Sequence, residues 1–195
     1  MRGLAEILKN DLEKGANMRC VEATLITPFC GKMPSIHCDA FVDLSARVIG
    51  HITIEEGASI WPMTVIRADS STIYIGKNAA LLDLSMVEAP VGHPVIIGEE
   101  ALISHGAVIH GAQVQKRTLI GIGAIILDGA VVSSGSIVAA GSVVTPGTII
   151  PPNSLFMGMP GKVVRETTER ERNLILEQVQ ELFTKSRRYK AEEGQ

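Results

Sequence analysis

From Val114 to Ser154 the chain reads VQKRTL IGIGAI ILDGAV VSSGSI VAAGSV VTPGTI IPPNS. Every sixth residue is aliphatic: Val114, Ile120, Ile126, Val132, Val138, Val144 and Ile150. Four places after each stands a small residue: Thr118, Ala124, Ala130, Ser136, Ser142, Thr148 and Ser154. Upstream the same beat runs through Val42, Val48, Ile54, Ile60 and Ile66, then Ile75, Leu81 and Val87, then Ile97, Ile103 and Ile109. A period of six is neither a helical stripe nor strand alternation. It is one short strand plus one corner, and three such units close a triangular coil, the signature of a parallel β-helix. The aliphatic residue fills the interior. The small residue sits inside the corner, where nothing larger fits.

Composition agrees. Only 4% of residues are aromatic while 46% are hydrophobic, which suits narrow coils filled with Val, Ile, Ala and Ser. The net charge of −3 gives no reason to expect a nucleic-acid partner. No apolar run approaches the roughly 18–20 residues that span a bilayer. The start, with Arg2, Glu6, Lys9 and Asp11, does not read as a signal peptide, so the cytoplasm is the expected location. Cys20, Cys30 and Cys38 form no CxxC pair. A zinc clip from Cys30, His37 and Cys38 fits no established spacing, and reduced, partly buried thiols are expected instead.

The expected organisation has three parts. Residues 1–41 hold a short amphipathic helix, with Leu4, Ile7, Leu8 and Leu12 on one face, and an irregular lead-in. Residues 42–160 form the β-helix, which the run Met157 to Gly161 ends. Residues 161–195 carry a helix capped at Thr167 or Thr168. Its stripe of Leu174, Ile175, Val179, Leu182 and Phe183 is expected to lie along one face of the prism.

The beat breaks at three places: nine residues from Ile66 to Ile75, ten from Val87 to Ile97, and five from Ile109 to Val114. Such breaks predict loops extruded from a rigid scaffold, where function concentrates. Glu88 follows Val87 and His110 follows Ile109, one full turn of hexads later. They stack on one face about 4.8 Å apart, close enough to share a metal ion. His105 is two places after Ile103, on a different face, and joins that pair only from a neighbouring subunit. An ordinary Glu88–His110 ion pair between surface residues is the competing reading.

Several pieces carry a family resemblance: Trp61-Pro62, Arg67-Ala68-Asp69, Ile75-Gly76, the run His105 to Gly111, and the ending Met157 to Arg165. Across about residues 40–170 the chain resembles the γ-class carbonic anhydrases and their relatives. The resemblance implies an all-β solenoid of left-handed hand, assembled as a homotrimer with a metal at each subunit interface. It implies that His105 and His110 are metal ligands and that Arg67 and Asp69 lie near the interface. An Arg–carboxylate pair suits fixing one subunit against another. Glu88 stands where the family has its first ligand histidine. The family's Asn and Gln fall on Ala80 and Leu82, Asp83 is retained, and a common tyrosine is Phe156. Two histidines and a carboxylate form a legitimate set for Zn2+ or Fe2+. The implied reaction is reversible hydration of CO2 to bicarbonate, weakened by the Glu88 ligand.

Two further readings come from other classes. One is a trimeric scaffold or complex subunit without catalysis, favoured by Ala80, Leu82 and Phe156. The other is acyl transfer with His93 or His105 as general base.

Overall fold

The structure, a computed structural model, describes residues 25–193. The expected N-terminal helix over 1–16 lies outside the described residues. The described chain is a left-handed parallel β-solenoid followed by one long helix.

Three faces make the prism. The first is an eight-stranded sheet, from Phe41–Val42 through Ser59–Ile60, Ala80–Leu81, Leu102–Ile103, Leu119–Ile120 and Ile137–Val138 to Ser154–Gly158. Gly161–Glu166 then turns back and pairs antiparallel with Ser154–Gly158. The second face carries Met86–Glu88, Val108–His110, Ile125–Ile126 and Val143–Val144. The third carries Val95–Ile97, Gln113–Val114, Val131–Val132 and Ile149–Ile150. One long strand, Val65–Ile75, belongs to both. The nine-residue spacing is taken up within this strand as a bulge, where Asp69 to Thr72 stand opposite His51 alone. Parallel pairing also begins before Val42, because Ile26–Thr27 and Ser35–Ile36 pair with Arg47–Ile54.

The interior follows the beat. Val48, Ile60, Ile66, Ile75, Leu81, Val87, Ile97, Ile103, Ile109, Val114 and Ile120 have no exposed surface. Each stacks on its counterpart in the coil below, as Ile109 does on Val87. Corner hydroxyls satisfy backbone groups that a tight corner would otherwise orphan. Ser136 Oγ donates to the Pro151 carbonyl at 2.8 Å and accepts from the Ser154 amide at 3.1 Å. Among the described residues no buried side-chain nitrogen or oxygen lacks a partner.

The helix, Glu169–Glu193 (α1), covers the first face. Ile175 and Val179 are buried against Phe41, Trp61, Ala80, Leu82 and Leu102, with Leu182 packed beside them. Leu174 points outward and is 45% exposed, so the packed stripe is narrower than the sequence pattern. Near the helix end, Arg187 pairs with Asp39 and Lys190 Nζ meets the carbonyls of Cys38 and Ala40. At its start, Thr167 Oγ1 donates to the Gly135 carbonyl at 3.0 Å. No helix among the described residues is long and apolar enough to cross a membrane.

Thr168 is the cap. Its Oγ1 accepts from the Glu171 amide at 3.2 Å, while Glu171 Oε2 accepts from the Thr168 amide at 2.8 Å, a capping box. A bidentate bond from Arg165, then the Thr168 amide, hold the Glu171 carboxyl down at about 2 against an ordinary 4.5. A depressed folded-state value stabilises the fold above pH 4.5 and loses that contribution as pH falls through about 2. Glu171→Gln keeps the capping box and removes only the carboxylate charge, so it is expected to lower the thermal midpoint at pH 7 by about 1–4 °C, the scale of one charge at a helix N-terminus in a chain this long. Arg165 is too exposed to add much more. Melting curves from pH 7 to pH 2 should show variant and wild type converging. A constant gap would refute the assignment.

Candidate metal centre

Parallel register places the polar residues on one row of the second face. Arg67 lies beside Glu88, and Glu88 beside His110. Each directly follows an interior aliphatic residue, Ile66, Val87 or Ile109, so strand alternation turns it outward. Arg67 Nη2 meets Glu88 Oε1 at 2.6 Å, and Nη1 meets Asp69 Oδ2 at 2.9 Å. The other Glu88 oxygen, Oε2, faces His110 Nε2 at 3.9 Å. Across the ring, His110 Nδ1 is 2.5 Å from Asp128 Oδ1.

The row carries surplus negative charge. Asp69, Glu88 and Asp128 bring three carboxylates against the single guanidinium of Arg67. Burial opposes ionisation of Asp69, but bonds from Ser70 and Arg67 outweigh it and hold its pKa below the ordinary value. The bond to Asp69 raises the Arg67 pKa against the opposing effect of burial, with Glu88 adding to it.

His105 sits at the corner between the first and second faces. Its Nδ1 is 3.0 Å from Asp83 Oδ2, one coil below. Both residues stand two places after interior residues, Ile103 and Leu81, so they stack in one column. Within one chain His105 does not converge with Glu88 and His110. Among the described residues the one group of three donors within 4.8 Å of one another is His37, Cys38 and Asp39. That group is exposed and lies against Arg187 and Lys190, whose charges oppose cation binding. Cys30 and Cys38 are free and exposed, not partly buried as expected.

The apolar substitutions have structural homes. Ala80 and Leu82 are 1% and 8% exposed beneath α1, and Phe156 is 3% exposed at the end of the interior stack. A hollow of about 260 Å3 beside His105 is bordered by Leu82, Leu102, Ile122 and Leu182 and by the polar Ser104, Gln178 and Glu181.

The sequence reading missed Asp128. It lies 18 residues after His110, but the five-residue spacing from Ile109 to Val114 makes this coil 17 residues long, so register sets Leu127 above His110 and Asp128 one place beyond it. Coil counting alone therefore passes over Asp128.

The donor set fits a divalent cation. A zinc or ferrous ion bonds carboxylate oxygen and imidazole nitrogen at about 2.0–2.2 Å, which suits a 3.9 Å separation. It also offsets the negative surplus of the row.

A left-handed solenoid with hexapeptide repeats and one C-terminal helix defines the class: a hexapeptide-repeat protein. A hexapeptide transferase family protein from Anaplasma phagocytophilum superposes with a TM-score of 0.82 at 32% identity, covering 85% of this chain and 98% of that one. No family model matches the chain. A carbonic anhydrase of Geobacillus kaustophilus is 46% identical over 145 residues, 74% of this chain and 80% of the relative. A "Probable carbonic anhydrase" of Methanocaldococcus jannaschii is 52% identical over 126 residues, 65% of this chain and 79% of the relative. The chain belongs to the γ-carbonic-anhydrase-like family.

Proposed function

We propose that the protein is a homotrimer holding one zinc or ferrous ion at each subunit interface, where it slowly hydrates CO2 to bicarbonate. The ligands are Glu88 and His110 of one chain and His105 of the next. One observation carries this reading. Both histidines have Nδ1 tied to a carboxylate, Asp128 or Asp83, which leaves each Nε2 free to ligate. When bound, the ion supplies Lewis acidity that brings the pKa of water towards neutrality.

The residues around it divide the remaining work. Arg67 holds one Glu88 oxygen and leaves the other facing His110. Asp83 orients His105. Leu82 and Leu102 give the hollow an apolar wall, and Ser104 and Gln178 also line it. The reaction is slow because the carboxylate ligand Glu88 cancels part of the ion's charge. Arg67 and Asp69, bonded to each other within the chain, set the Glu88 carboxylate before any subunit contact forms.

Assembly has its own support. Met63 and Leu84 adopt left-handed backbone, φ 56° and 61°, at a corner where later coils use Gly106, Gly123 and Gly141. That conformation costs a non-glycine residue about 1–2 kcal/mol. Both side chains are 61% exposed, with Leu44 and Ile122 on the same ridge. The cost is retained because a neighbouring subunit covers this ridge and receives His105 from it. Leu84→Gly should keep the coil and weaken the trimer, seen as a lighter species in sedimentation velocity at micromolar concentration. A trimer unchanged on dilution would exclude the ridge from the interface.

The deciding experiment is metal content after anaerobic purification without chelator or tag histidines. Close to one zinc or iron per chain is expected. No metal, even after incubation with zinc and ferrous iron, would sink the reading. It would favour the scaffold alternative, which the absorption of Ala80 and Leu82 into the helix contact supports.

A further inference from the structure

We infer that Asp128 is a positioning residue: it fixes the His110 ring with hydrogen on Nδ1 and a bare Nε2 turned toward Glu88. The inference rests on the metal reading of His110 and extends it to a residue outside the ligand set. An ionised carboxylate only accepts hydrogen bonds, so at 2.5 Å the hydrogen between Asp128 Oδ1 and His110 Nδ1 belongs to the ring. On the other side of the ring, 3.9 Å is beyond hydrogen-bond reach, so Glu88 does not compete for that hydrogen. The result is a lone pair on Nε2 facing a carboxylate oxygen, an arrangement that a cation satisfies.

The backbone is built to permit this contact. Gly111, next to His110, has φ +59°, and a Cβ there would lie 2.5 Å from Asp128 Oδ1 and 2.8 Å from His93 Cβ. The carboxylate thus reaches the ring through space that any side chain would fill. Gly111 is pinned from both neighbouring coils, its amide donating to the Glu88 carbonyl at 2.9 Å and its carbonyl accepting from the Gly129 amide at 2.8 Å. The five-residue spacing from Ile109 to Val114 draws in this corner and sets Asp128 beside the ring.

Two readouts on the whole chain test the role. Long-range proton–nitrogen NMR of metal-free protein, at a pH where the ring is neutral, reads the His110 tautomer, with His110→Gln assigning the signal. Wild type should show hydrogen on Nδ1. Asp128→Asn preserves the shape, and its amide can donate to Nδ1, so the population should shift toward hydrogen on Nε2. Chelator competition should then give zinc affinity about 10–100-fold weaker for the variant. Gly111→Ala should shift the tautomer the same way, and Asp128→Asn decides if that variant does not fold. An unchanged tautomer in Asp128→Asn overturns the inference. A shifted tautomer in a wild-type background that binds no zinc supports the positioning role and sinks the metal reading instead.

Discussion

Glu88→His is expected to raise CO2 hydration by the metal-loaded protein about tenfold or more, the change that a single unit of water acidity brings at neutral pH. The argument rests on charge. An imidazole donates as a neutral ligand, whereas the carboxylate cancels part of the positive charge at the site. The effect of a bound cation on the acidity of its surroundings grows with the charge left uncancelled. The substitution also frees Arg67 from Glu88 and leaves it with Asp69, so the surplus negative charge of the row falls with it. Stopped-flow hydration assays on zinc- and iron-loaded protein make the comparison. An unchanged rate in the variant, or a wild type that is already fast, would refute it.

Ile109→Ala should cost about 2–5 kcal/mol, the range for truncating a fully buried aliphatic side chain. Ile109 has no exposed surface and lies between Val87 in the coil below and Ile126 in the coil above. Its three neighbouring faces are held by backbone pairing, so the solenoid cannot collapse into the space left behind. The thermal midpoint should fall by roughly 5–15 °C at fixed protein concentration. Ile149→Ala is the internal control. Ile149 is chemically identical but 72% exposed, next to the interior Ile150, and its loss should stay within about 0.5 kcal/mol, as for an ordinary surface site. Equal effects at the two positions would mean that the six-residue beat does not mark the interior.

Where sequence and structure agree, the reason is geometric. An interior wide enough for one aliphatic side chain per strand forces that residue to recur, so Val114 to Ile150 are readable without coordinates. The same counting stacks Glu88 on His110, because their register depends only on completing one coil. Where the counting is interrupted, legibility fails. The nine residues from Ile66 to Ile75 look like a loop, and the structure makes of them a bulge: pairing with Arg47–Ile54 runs to Ala68, skips Asp69 to Thr72 and resumes at Ile73. Asp128 escaped because it belongs to no motif and acts through a neighbour. Ile36, six places before Val42, extends the beat one hexad further than the sequence reading took it, whereas Ile26–Thr27 lies off the beat and is placed by the coil above it. Leu174 shows the limit of a helical stripe: a 25-residue helix offers more apolar positions than one flat face can cover.

The helix α1 has a consequence for cooperativity. A stack of repeats whose members touch only their neighbours frays from either end, each terminal coil opening on its own. Here one element grips both ends, through the Gly135 carbonyl near the last coils and through Asp39, Cys38 and Ala40 at the first. The partners of Arg187 and Lys190 are 148 to 152 residues away along the chain. Peeling the first coil must therefore release the helix, and releasing the helix strips the cover from every coil on that face. A quasi-linear polymer of coils becomes a closed loop of contacts that opens as a unit.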